Sequence, residues 1–190
     1  MNDIIEKLNL YKPINDQEIE DKKIFLKLLN TIDDILTRKN NFYHLTASAF
    51  VVNEDFTKAL MVHHNTYGGF IYPGGHAYGE INLLKVAKRE VEEETGINGT
   101  PLTEEIYSIQ ALAANGHMKK GKYISAHIDL DILYLFQAKN EDMKKIRIKE
   151  NENSQVKWIN LEDTYNEDIV SWIRPINKKI VEKIKKEYNI

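Results

Sequence analysis

The chain contains no cysteine. That excludes disulfides, thiol nucleophiles and cysteine-ligated zinc, and it suits a reducing compartment. No apolar run approaches the roughly 20 residues needed to cross a bilayer. The first ten residues are acidic and amphipathic, without the unbroken apolar centre of a signal peptide. Basic charge is not in excess: 26 Lys and Arg stand against 29 Asp and Glu, for a net charge of −3. No global positive field is therefore available to attract nucleic acid. Internal repeats and low-complexity linkers are also missing. From these absences we expect a soluble, cytoplasmic protein.

What is there fills one domain with an added helical piece, since the chain has 190 residues, 42% of them hydrophobic. Residues 1 to about 40 read as helical. Asn15 followed by Glu18 makes a capping box, and apolar residues then recur at Ile19, Phe25, Leu28, Leu29, Ile32, Ile35 and Leu36. From Leu45 the period changes. "LTASAFVV" and "KALMVHH" read as strands joined by the turn "NEDFT", and a short strand is expected at Phe70–Tyr72 within a glycine-broken loop. A helix is expected over residues 82–95, stopped by Gly96. "IYSIQALAA", "YISAHIDLDILYLFQA" and "QVKWIN" read as further strands, with "NG" and "KKG" suggesting a hairpin between the first two. A last helix carries Ile173, Ile176, Ile180, Ile184 and Tyr188 on one stripe. Helices, strands, one central helix, strands and a helix make an α+β order.

The unusual stretch is "REVEEETG", Arg89 to Gly96, with four carboxylates in five residues near a helix C-terminus. Like charges repel there, and the helix dipole disfavours them. At about 100° per residue from Leu84, Ala87 falls at about 300° and Val91 at about 340°, on the expected core-facing arc. Glu90, Glu94 and Glu93 fall at about 240°, 280° and 180°, along a flank bordering that arc, whereas Glu92 falls at about 80°, beside Lys88. Arg89 can reach Glu93 at i+4. Three crowded carboxylates fit a solvated acidic face, and they equally fit hard oxygen ligands for Mg²⁺ or Mn²⁺.

The flanking residues favour the second reading. "GGHAYGEINLLKVAKREVEEETGI" resembles the Nudix hydrolase signature, G-x5-E-x7-R-E-U-x-E-E-x-G-U with U aliphatic. Arg89, Glu90, Val91, Glu93, Glu94, Gly96 and Ile97 match in register, and Gly75 opens it. The stretch is similar in particular to a subgroup carrying "GGHADG" before the box. One position departs: the first signature Glu would be residue 81, which is Ile81, while Glu80 lies one position early.

The resemblance implies a Nudix-type α/β/α sandwich with a mixed sheet over residues 41–190, with residues 1–40 as an N-terminal helical extension. It implies hydrolysis of the diphosphate linkage in a nucleoside diphosphate joined to another moiety X, by water attack at phosphorus with Mg²⁺ or Mn²⁺. Glu90, Glu93, Glu94 and Glu80 are then the expected metal ligands, and Glu93, Glu94, Arg89 and Glu152 the expected catalytic residues. Glu152 comes from "ENSQVKW", which resembles the subgroup's "ESxEVxW". Gly74, Gly75, His76, His127 and Asp129 are expected at the substrate. His127, Asp129 and Asp131 alternate on one face of a strand, which fits a wet sheet face and a diphosphate cleft alike. His63, His64, Tyr67, Phe70 and Tyr72 fit base stacking and core packing alike.

The isopentenyl diphosphate isomerase type of Nudix protein uses a catalytic cysteine and is set aside. A non-catalytic nucleotide-binding or regulatory module is the alternative; such modules usually lose the helix glutamates, which are present here. The N-terminal helices are open to three roles: covering the sheet, forming a homodimer interface or capping the substrate cleft. The partner expected is a small nucleotide derivative, with no membrane and no nucleic acid.

Overall fold

The computed structural model describes residues 1–119 and 121–190. It is α+β, as expected, and the chain forms two compact units interleaved in sequence. The first comprises Met1–Ser48, Gly74–Ala87 and Glu104–Tyr134, and the second Ala49–Pro73, Lys88–Thr103 and Leu135–Ile190.

The first unit begins with helices α1 (Asn2–Leu10) and α2 (Asp16–Leu29). The Glu18 amide donates to Asn15 Oδ1 at 2.9 Å, which forms one half of the capping box. The Glu18 carboxylate does not return to Asn15. It accepts from the Ile14 amide at 2.9 Å and the Tyr11 hydroxyl at 2.7 Å. The helical reading of residues 30–40 is corrected: α2 ends at Leu29, and turns carry the chain to residue 42. Ile35 is nevertheless fully buried, so the apolar spacing reported burial without helix.

Three alternating polar residues, His44, Thr46 and Ser48, begin strand β1 (Tyr43–Asn53). Strand β4 (Gly74–His76), in the stretch read as a loop, pairs antiparallel with β1 at Ser48↔Gly74, Ala47↔Gly75 and Thr46↔His76. A Cβ at residue 74 would lie 2.4 Å from Ser48 Cβ and 2.9 Å from its Cα, so only glycine permits this approach. Strands β6 (Ser108–Ala114) and β9 (His127–Ala138) pair antiparallel from Ser108↔Leu133 to Ala114↔His127. The outer edge of β6 is covered by α2. Gln17 Nε2 donates to the Ile109 carbonyl at 3.0 Å, and Asp21 accepts the Ala111 amide at 2.9 Å. The two strands expected to form a hairpin do pair antiparallel, but their connection is longer than a turn. A small separate hairpin of β7 (His117–Lys119) and β8 (Lys122–Ile124) intervenes, and the "KKG" turn includes Lys120, which lies outside the described residues.

Helix α3 (Leu83–Thr95) starts in the first unit and ends in the second. Asn82 caps it by accepting the Lys85 amide at 3.0 Å. Gly96 ends it at φ +73°, a conformation glycine adopts without cost.

In the second unit, β2 (Lys58–His64) pairs antiparallel with both β10 (Asn153–Asn160) and β3 (Gly69–Ile71), and Val62 stands opposite Val156 and Ile71. Phe70 and Ile169 form a parallel bridge. The two-residue strand β5 (Thr100–Pro101), absent from the sequence reading, pairs with β9 at Gln137 and Phe136. Helix α4 (Arg174–Tyr188) buries Ile176, Ile180 and Ile184 as its stripe predicts. Each such side chain contributes roughly 1.5–3 kcal/mol on full burial.

Candidate functional site

The buried face of α3 is formed by Leu83, Val86, Ala87, Glu90, Val91, Glu94 and Thr95. Leu84, the origin of the rotation above, is only half-buried. Glu90 (6% exposed) and Glu94 (3%) lie inside the buried arc rather than on its border. Glu92 and Glu93 are exposed. Burial pushes the Glu90 carboxyl above its ordinary range, opposed by Arg89. Arg89 Nη2 donates to Glu90 Oε1 at 2.7 Å, and its Nε lies 3.8 Å from Glu93 Oε1.

Lys149, which the sequence reading did not single out, lies between two expected site residues. Its ammonium is 3.0 Å from Glu93 Oε2 and 2.9 Å from Glu152 Oε2. Partial burial would lower the Lys149 pKa, but hydrogen bonds to Glu152 and Glu93 outweigh it and hold the pKa above its usual value. Asn153, fully buried beside Glu152, donates through Nδ2 to the Glu94 carbonyl at 3.1 Å near the end of α3. The loop acid and two helix glutamates are thus tied together by one cation and one amide. "KENEN" carried that signal only as a lysine three residues before Glu152.

Glu80 has local partners. It accepts from the Asn82 amide at 3.0 Å and pairs with Lys85 at 2.8 Å, and that lysine bond holds its carboxyl below the usual range. Ile81 is exposed at 48%, with its side chain outside the core.

His127, Asp129 and Asp131 do share a face of β9, on which His127 and Asp131 are buried and Asp129 is partly exposed. Asp131 is saturated. It accepts from Thr46 Oγ1 at 3.1 Å, from Ser48 Oγ at 2.8 and 2.9 Å and from Gln110 Nε2 at 2.7 Å. This network continues through Ser108, whose hydroxyl lies 2.9 Å from Gln110 Oε1 and 3.0 Å from Glu18 Oε1.

Asp129, two residues away, has no such donors. Its Oδ1 faces His76 Nε2 at 3.5 Å and His44 Nδ1 and His127 Nε2 at 3.7 Å, and among the described residues that oxygen has no hydrogen-bond partner. Burial pushes its carboxyl up, but the three imidazoles outweigh that and hold it below the usual range. His44, only 4% exposed, was missed in the sequence; the His44-Thr46-Ser48 alternation facing β9's own polar alternation was the available signal. Arg38 Nη2 contacts His76 Nε2 at 2.9 Å and Nδ1 at 3.3 Å.

Gly74 and Gly75 are engaged in the β4–β1 pairing. Of the candidate stacking aromatics, Phe70 and Tyr72 are buried. The His64 and Tyr67 rings stack at 4.5 Å, and Trp172 meets Tyr67 edge-on at 5.3 Å.

The family model described as the NUDIX domain matches residues 42–180. A NUDIX-family hydrolase from Clostridium perfringens is similar in structure, with TM-score 0.53 and 21% identity over 74% of this chain and 97% of that one. A MutT protein from Methanosarcina mazei Go1 gives 0.53 and 20%, covering 77% and 98%. An Ap4A hydrolase from C. elegans gives 0.51 and 18%, covering 75% and 98%. At these identities the likeness is one of fold. A comparison with curated protein sequences finds no match.

Proposed function

We infer, from the premise that this chain belongs to the NUDIX domain family, that it is a pyrophosphohydrolase. It splits the diphosphate linkage of a nucleoside diphosphate joined to a second moiety, by water attack at phosphorus. The observation that carries the reading is the burial of Glu90 and Glu94 in the helix that also presents Glu93. Buried carboxylates of this kind are costly without a cation. The donor chemistry fits a divalent ion, since all three groups offer hard oxygens and the space between Glu93 and Glu152 already takes one cation, the Lys149 ammonium. Mg²⁺ or Mn²⁺ held by Glu90, Glu93 and Glu94 would neutralise phosphate charge and acidify the attacking water.

The remaining roles belong to this chain's own groups. Arg89 restrains Glu90 and Glu93, so it is a positioning residue. Glu152 and Glu93 compete for Lys149, and the one released on substrate binding can take the proton from water. Glu152 is our choice of base, because Glu93 also has Arg89 beside it. Glu80 lends rigidity to the entry of α3 through Asn82 and Lys85. Gly75, heading the loop before α3, is our candidate for substrate contact. His76, His127 and Asp129 are taken up in the next subsection. The likeness of "GGHAYGE" to the "GGHADG" subgroup supports the same substrate class without naming X. We keep residues 41–190 as the hydrolase domain and residues 1–40 as its extension.

The test is a panel of sugar nucleotides, dinucleoside polyphosphates, dinucleotide cofactors and oxidised nucleotides, incubated with Mg²⁺ or Mn²⁺ and read for phosphate-bearing products. Metal-dependent cleavage of at least one is expected. Binding of panel members without cleavage would leave the non-catalytic module as the better reading.

A further inference from the structure

We propose that His44, His76, His127 and Asp129 form a four-coordinate site for a transition-metal ion, zinc foremost, that uses none of the glutamates of the Nudix box. One donor atom from each lies within 4.8 Å of all the others. The proposal is independent of the hydrolase reading.

The first argument is an electrostatic mismatch. Three ring nitrogens surround Asp129 Oδ1 at 3.5–3.7 Å, too far for hydrogen bonds, which run about 2.7–3.2 Å. Both His44 Nδ1 and Asp129 Oδ1 are buried without a hydrogen-bond partner. Such groups carry a desolvation penalty unless something joins them.

The second argument is tautomeric. The other nitrogen of His44, Nε2, lies 2.5 Å from the Asn40 carbonyl. The other nitrogen of His127, Nδ1, lies 2.8 Å from the Ser125 carbonyl. A carbonyl only accepts, so each of those nitrogens carries the proton, and in the neutral ring a lone pair then points at Asp129. A lone pair gives the carboxylate no hydrogen bond. The same arrangement is what a metal requires, with each imidazole oriented by a backbone carbonyl behind it.

The third argument is size. Zinc binds His nitrogen and carboxylate oxygen at about 2.0–2.2 Å in a tetrahedron, whose edges are then about 3.3–3.6 Å. The observed edges from Asp129 are 3.5, 3.7 and 3.7 Å. The nitrogen–nitrogen edges lie within 4.8 Å, so closing onto an ion draws the imidazoles inward by up to about 1 Å along those edges. Arg38 Nη2 now touches His76 Nε2. The ion would replace that contact, and Arg38 Nε has no hydrogen bond holding the guanidinium in place. Three imidazoles with one carboxylate suit zinc and its neighbours over magnesium. With all four positions filled by protein, the site is closed, so its role is structural. It would clip β4 to the starts of β1 and β9.

The test uses the full chain, stripped with a chelator and titrated with Zn²⁺ against a chromophoric competitor. One tight equivalent is expected, with Tm raised by roughly 8–16 °C at a thousandfold excess over Kd. Co²⁺ in its place should give the intense visible bands of a four-coordinate site, a readout that needs no variant. His44→Asn with His127→Asn should lose both signals, whereas Glu93→Gln with Glu94→Gln should keep them. Failure of the untouched protein to take up a tight equivalent would overturn the proposal. So would a weak six-coordinate cobalt spectrum, or loss of the tight equivalent in the glutamate variant.

Discussion

The carboxylates of α3 and those of β9 meet different kinds of partner. On α3, Glu90 and Glu93 are met by Arg89 and Lys149, long cationic side chains that can swing away. On β9, Asp131 is met by two hydroxyls and an amide fixed in neighbouring strands. Asp129 on the same strand has neither, only three imidazoles at ion-pair distance. The partner reports the role. Fixed neutral donors hold a carboxylate as structure. Exchangeable cations leave it open to a ligand. Imidazoles that stop short of it leave the place we assign to an ion.

The largest effect should come from the exchangeable side of this contrast. Glu93→Gln or Glu94→Gln should lower turnover by about 10²–10⁴-fold while the far-ultraviolet spectrum and Tm stay near wild type. Glu152→Gln should follow, with a clear loss of kcat, whereas Glu80→Gln should change kcat by only a few-fold. Equal effects at residues 80 and 152 would contradict our choice of base. Next is the fixed side. Asp131→Ala strands the donors of Thr46, Ser48 and Gln110 in the core and should cost about 3 kcal/mol, or roughly 6–12 °C in Tm. A cost below about 1 kcal/mol in urea unfolding would mean those donors find other partners.

The smallest effect sharpens the comparison through pH. The folded Glu90 pKa lies above the ordinary 4.5 of a glutamate, so folding is weakened as pH rises through the folded value and the buried charge appears. Glu90→Gln should therefore stabilise the metal-free protein at neutral pH by about 1 kcal/mol, even as it impairs catalysis. That gain should vanish below pH 4.5, where the wild-type carboxyl is protonated in both states. Urea midpoints at acid and neutral pH read the sign directly.

The legible parts of the fold were those with a sustained period. The apolar runs of β1 and β2, the stripe of α4 and the Asn82-to-Gly96 span of α3 follow from local pattern. Strand β4 was not legible, because Gly-Gly-His has no strand propensity and pairs only through its close seat on Ser48. The buried arc of α3 also holds Glu90 and Glu94, whose charge hides them from a hydrophobicity pattern that takes only Leu83, Ala87 and Val91 as core. The box glutamates were readable because they are neighbours in sequence. The histidine cluster was not, since positions 44, 76, 127 and 129 meet only after three strands have formed. Lys149 was hidden likewise, its partner Glu93 lying far away along the chain.

The family match begins at residue 42, yet Gln17, Glu18 and Asp21 hold the Ile109 carbonyl, the Ser108 hydroxyl and the Ala111 amide. A polypeptide shorn of its first 41 residues would offer β6 as a bare ribbon for another copy to zip onto. Trimming to the apparent homology boundary should yield a sticky, insoluble product instead of a leaner enzyme.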